Sequence, residues 1–94
     1  MTEQNRFADI WDVVSQSPED ATVMKMRADL MSDIRVAIQA KGLTQGQAAE
    51  LLGLSQPRVS DLLRGKLSKF NLEMLIGLSQ LCGHKVEMRI SKAA

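Results

Sequence analysis

Aromatic residues are scarce in this chain: there is no tyrosine, and Phe7, Trp11 and Phe70 are the only rings. A core with so few rings must be filled by Leu, Ile, Val, Met and Ala, which suits packed helices. Stacking along a single nucleic-acid strand needs rings among basic residues, and no such cluster occurs. The single cysteine, Cys82, excludes an internal disulfide and fits a reducing compartment. With only one histidine, His84, a zinc site would need a second chain. His84 reads as a surface or capping residue, and Cys82 as a small buried hydrophobe. Neither a phosphate-cradling glycine loop nor a working pair of carboxylates is present. The sequence thus predicts no enzyme, no cofactor, no metal and no small-molecule substrate. No apolar run approaches the ~20 residues of a membrane span, and residues 1–10 lack the plan of a secretory signal. These absences predict a cytoplasmic protein that does not enter a membrane.

What is present is an ordinary globular balance: 94 residues, 45% hydrophobic and 24% charged, enough for one modest core. The net charge of +1 hides a lopsided distribution. Residues 1–40 hold seven acids and four bases, a net of −3, whereas residues 41–94 hold four acids and eight bases, a net of +4. Within residues 55–69, Arg58, Arg64, Lys66 and Lys69 face a single acid, Asp61. On charge alone a solvated helix face explains this better than a polyanion site.

Residues 7–14 place Phe7, Ile10, Trp11 and Val14 on one side, the spacing of a short amphipathic helix. Ser17 is a plausible N-cap, with Pro18 at the first helical position and acids in the first turn. A long helix to about Ala40 follows, its buried stripe formed by Val23, Met26, Leu30, Ile34 and Ala37 or Ile38. Lys41–Gly42 ends it. Thr44 and Gln47 have the spacing of a capping box for the next helix, which stops at Gly53. A further helix runs to Gly65, and a polar loop leads to Asn71, the N-cap of an apolar helix closed by Gly83. Of the six methionines, Met24, Met26, Met31 and Met74 fall in helices and read as core.

The last segment alternates. Val86, Met88 and Ile90 fall on one side and Lys85, Glu87 and Arg89 on the other, which predicts a strand. A lone strand leaves both edges unpaired. Pairing with the same strand of a second copy about a two-fold axis is the favoured solution. The alternatives are another protein's sheet edge, or a tail that stays unpaired until bound.

Residues 45–64, "QGQAAELLGLSQPRVSDLLR", form a unit. Ala49 is small enough for a close helix crossing, Gly53 tolerates positive φ at the turn, and Ala48, Leu52, Leu54, Val59 and Leu62 lock the pair to a core. This is the spacing of a helix-turn-helix, whose second helix enters the DNA major groove. On that second helix Gln56, Pro57, Arg58, Ser60, Asp61 and Arg64 remain for the outer surface. Pro57 breaks no intrahelical bond in the first turn, and either Ser55 or Gln56 can be the N-cap. Gln56 suits adenine, while Arg58 suits guanine or a phosphate. Asp61 is able to accept from cytosine or to pair with Arg58 or Arg64. Thr44 and Gln45, together with Arg64, Lys66, Ser68 and Lys69, are placed for phosphates.

The stretch "LTQGQAAELLGLSQPRVSDLLRGKLSKF" resembles the helix-turn-helix of the XRE, or lambda-repressor-like, superfamily, and within it the short HigA-type antitoxins. The likeness extends from the "FAD" at residues 7–9 through the long helix to "LCGHKVEMRI", with a departure at Gly46, where glycine weakens a helix. The resemblance implies an all-α fold of five helices with a C-terminal β-strand that pairs across a dimer. It further implies a palindromic operator, repression of the chain's own promoter and capture of a RelE- or HigB-like ribonuclease toxin. Carried to this chain, it points to Gln45, Ser55, Gln56, Pro57, Arg58, Asp61 and Lys66 as DNA contacts. The expected organisation is an arm with a short helix at 1–16, a helical DNA-binding domain at 17–83, and a dimerisation strand with its tail at 84–94. A stand-alone regulator without a toxin and a helical protein-interaction adaptor are the competing readings.

Overall fold

Glycines in the left-handed region punctuate the chain at the ends of its helices, and the element order follows from them. The computed structural model describes residues 18–93. Helix α1 spans Pro18–Ala40, α2 Gln45–Leu52, α3 Gln56–Leu63 and α4 Leu72–Leu81. A single 3₁₀ turn, Leu67–Lys69, bridges α3 and α4. The expected helix at 7–14, the arm at 1–16 and the Ser17 cap lie outside the described residues.

Helix α1 ends where predicted, and its last three turns supply Met31, Ile34, Ala37 and Ile38 to the core. These meet Ala48, Ala49 and Leu52 of α2, Val59 and Leu62 of α3, Phe70, and Leu75 and Leu78 of α4 in one cluster. The methionine expectation needs correcting. Met31 is buried, whereas Met24, Met26 and Met74 are exposed by 38%, 45% and 39%. Periodicity placed Met26 on the correct stripe, but around it stand only the start of α4 (Leu72, Ile76) and the C-terminal segment, so the stripe opens into a groove there.

Asn71 caps α4 as expected, its Oδ1 accepting from the Met74 N–H at 2.8 Å. At the other end of α4 a tie to α1 appears that local pattern does not reveal. The Asp33 carboxylate accepts from the buried Ser79 hydroxyl at 3.1 Å and lies 2.5 Å from Nδ1 of His84. Cys82 sits beside this cluster, buried as predicted, and burial pushes its thiol above the ordinary thiol range. Alkylating reagents at neutral pH are therefore expected to leave Cys82 largely unmodified in the folded chain and to label it fully in denaturant. Mass spectrometry of the two reactions checks this, and equal labelling rates would contradict the burial.

The C-terminal strand, expected to pair across a dimer, is not seen in the single chain. Among the described residues 84–93 form no ladder and no strand. Among the described residues no second strand exists to bond it, and alternation of side chains cannot supply the missing edge. Val86 is half-buried against the α1–α4 groove, while Met88 and Ile90 stand exposed. Among the described residues no helix is long and apolar enough to cross a membrane.

Candidate nucleic-acid interface

The site is built from two helix N-termini. At α2, the Thr44 hydroxyl accepts from the Gln47 N–H at 3.1 Å, and the Gln47 side chain accepts from the Thr44 N–H at 2.9 Å. This is the capping box expected from the sequence, and it fixes where Gln45 emerges. Gly53 closes the helix at φ +67°, a conformation that would strain any other residue, with its N–H bonded to the Ala49 carbonyl. The corner therefore forms as the Ala49–Gly53 spacing requires.

At α3, the N-cap is Ser55, not Gln56: its Oγ accepts from the Arg58 N–H at 3.3 Å. Pro57 lies within the first turn, where it removes no helical hydrogen bond. Val59 and Leu62 are wholly buried and hold the helix down. Gln56, Pro57 and Arg64 are exposed, and Ser60 and Asp61 are half-buried at the margin. Thr44, Gln45 and Ser55 are exposed as well.

The two N-termini are neighbours. The Gln56 side-chain nitrogen lies 3.4 Å from where a Cβ on Gly46 would stand. Glycine at position 46 thus leaves room for Gln56 to lie over the start of α2, which gives the departure from the family pattern a local reason. Alanine there would touch only the movable end of a side chain. Gly46→Ala is accordingly expected to stabilise the fold by up to about 1 kcal/mol through helix propensity while displacing the Gln56 amide. A thermal melt tests the first part, and a lowered melting temperature would contradict it.

Asp61 pairs with neither arginine. Its partner is Lys66, at 3.4 Å, and the Lys66 N–H donates to the Asp61 carbonyl at 3.0 Å. Arg58 is not free either. Its Nη1 donates to the Lys69 carbonyl at 2.9 Å, its Nη2 approaches the Met74 sulfur at 3.3 Å, and its guanidinium lies 4.3 Å from the Phe70 ring centre. Arg64, Lys66 and Lys69 remain exposed, so the loop after α3 presents bases with only Asp61 to offset them.

Three contributors were not legible in the pattern. Phe70 looked like the end of a polar loop but is buried and anchors that loop to the core. Met74 caps the Arg58 side chain. Arg35, on α1, points its Nη1 at the Leu63 carbonyl, 3.5 Å away at the C-terminus of α3, where a cation is favoured. All three act across the chain, so spacing within one helix gives no sign of them.

Two short helices joined at a left-handed glycine, the second with a polar, partly basic outer face, define a helix-turn-helix module. The profile of the family described as "Helix-turn-helix domain" matches residues 13–91. A solved structure described as an XRE-family transcriptional regulator is similar at a TM-score of 0.74 and 34% identity, over 79% of this chain and 83% of that one. No curated protein gives a match. The chain belongs to the XRE helix-turn-helix family.

Proposed function

We propose that the chain is a sequence-specific regulator of transcription that binds double-stranded DNA as a repressor. The observation that carries this is the common exposure of the α2 N-terminus, the α3 outer face and the basic loop after α3, with the Gln56 side chain lying over Gly46. In this reading α3 enters the major groove, and Gln56 and Ser60 meet base edges. Pro57 and Ser55 keep its first turn rigid and slim. Thr44 and Gln45 approach one phosphate strand, and Arg64, Lys66 and Lys69 the other. Asp61, already paired with Lys66, acts more as a restraint on that lysine than as a reader of cytosine.

The target is a palindromic operator bound by a homodimer, with the Val86, Met88 and Ile90 edge pairing across the two-fold. The exposed Met88 and Ile90 and the neighbouring apolar groove support that assembly. A gel-shift titration against the duplex upstream of the chain's own reading frame tests the function. Retardation that competes with that duplex but not with scrambled DNA is expected. Binding indifferent to sequence at low salt, or none, would leave only the adaptor reading.

A second reading extends the first: the regulator is also the antitoxin of a RelE- or HigB-like ribonuclease. The acid excess of residues 1–40, seven acids against four bases, suits a basic partner. Co-expression of an adjacent small reading frame should be toxic alone and harmless with this chain. Unchanged toxicity would leave a stand-alone regulator.

A further inference from the structure

We propose that Arg58 is a positioning residue: it clamps the loop after α3 so that Lys66 and Lys69 meet a DNA phosphate, and it reads no base itself. The inference rests on the DNA-binding reading above and changes the role given to the most prominent base of the recognition helix.

Position matters first. Arg58 lies in the opening turn of α3, with its own N–H bonded to the Ser55 cap. A cation there opposes the helix dipole, so its placement needs a compensating partner. The partners are all in the next loop. One arm of the guanidinium donates to the Lys69 carbonyl at 2.9 Å, the other reaches the Met74 sulfur at 3.3 Å, and its flat face lies 4.3 Å from the Phe70 ring centre. Reaching a base edge would break all three contacts together.

The loop, in turn, needs a clamp. It opens at Gly65 with φ +73°, and its regular part is a single 3₁₀ turn of three residues, whose hydrogen bonds are intrinsically poor. Its two turn bonds, Lys69 N–H to Lys66 carbonyl and Phe70 N–H to Leu67 carbonyl, are 3.1 and 3.2 Å. Phe70 pins the loop from the core side and Arg58 from the outside. Lys66 and Lys69, both exposed, are left projecting from a fixed backbone. A phosphate contact from a held backbone costs less ordering entropy than one from a mobile loop.

Arg58→Ala and Arg58→Lys test this, since lysine keeps the charge but has neither the fork nor the flat face. The first readout needs no DNA. Amide exchange at Lys69 and Phe70 should accelerate roughly tenfold in both variants, with α2 amides unchanged as a check on folding. Unchanged exchange at those two amides would overturn the clamp. The second readout is binding to a random-sequence duplex in a double-mutant cycle with Lys66→Ala/Lys69→Ala. Arg58→Ala should weaken the wild-type chain several-fold yet add less than about twofold once both lysines are gone, because it acts through them. Equal losses in the two backgrounds, or a loss confined to one preferred sequence and absent on random DNA, would refute the proposal. A wild-type chain that binds no duplex at low salt defeats the DNA reading itself, a result distinct from additive losses on a chain that binds.

Discussion

Leu62→Ala is expected to cost about 2–5 kcal/mol and to bring the domain close to unfolding at room temperature. Leu62 is fully buried on the inner face of α3, in the cluster shared with α1, α2 and α4. Removing its branched end deletes contacts that the close-packed cluster cannot easily restore, because its other members, Val59 and Leu75 among them, are themselves wholly buried. A domain of this size starts with a total stability at the lower end of about 5–15 kcal/mol, so the fractional loss is large. Urea unfolding followed by circular dichroism measures it. The control is Leu51→Ala on the outer side of α2, exposed by 36%, which should change stability far less. Equal shifts for the two variants would mean that α3 is not seated as described.

The second large effect concerns assembly. Ile90→Asp combined with Met88→Asp should convert a dimer into a monomer without unfolding the helices. Met88 and Ile90 are 80% and 87% exposed in the single chain, so charging them burdens nothing within it. Across the proposed two-fold the same side chains would be buried beside the partner's backbone, where an uncompensated carboxylate is costly. Loss of the second half-site contact should lower affinity for a palindromic duplex by on the order of 10²–10⁴, the ordinary gain from linking two sites. Sedimentation velocity and operator titration report the two consequences separately. A wild-type chain that sediments as a monomer at micromolar concentration would end the dimer proposal.

The helices after residue 40 were legible because each carries its own stop and start signals. Gly42, Gly53, Gly65 and Gly83 all adopt positive φ, and Thr44, Ser55 and Asn71 all cap the helix that follows. The inner face of the helix-turn-helix was legible for the same reason, since Ala48, Ala49, Leu52, Val59 and Leu62 are local in their spacing. The outer face was only half legible. Sequence identifies Arg58 and Asp61 as polar and available, but their partners, Lys69, Phe70, Met74 and Lys66, depend on how the following loop folds back. Composition likewise could not separate Met31, in the core, from Met26, which faces a groove, because the difference lies in where α4 begins. The C-terminal alternation was real as a pattern, but a strand is a relation between two segments, and the described residues supply no second one.

The Asp33 tie to Ser79 and His84 has a consequence for how two half-sites are measured. It fastens the last turn of α4 to the middle of α1 at the residue where the C-terminal tail departs. In the proposed two-fold assembly the tail would be the arm joining two recognition helices that must fall about one DNA turn, roughly 34 Å, apart. An arm hinged freely at Gly83 would let that separation drift and would accept operators of several lengths. In that proposed dimer an arm bolted at His84 would act as a ruler, so loosening the bolt with Asp33→Asn should blur the preferred half-site spacing, read by titration against duplexes of varied spacing, before it weakens binding to either half.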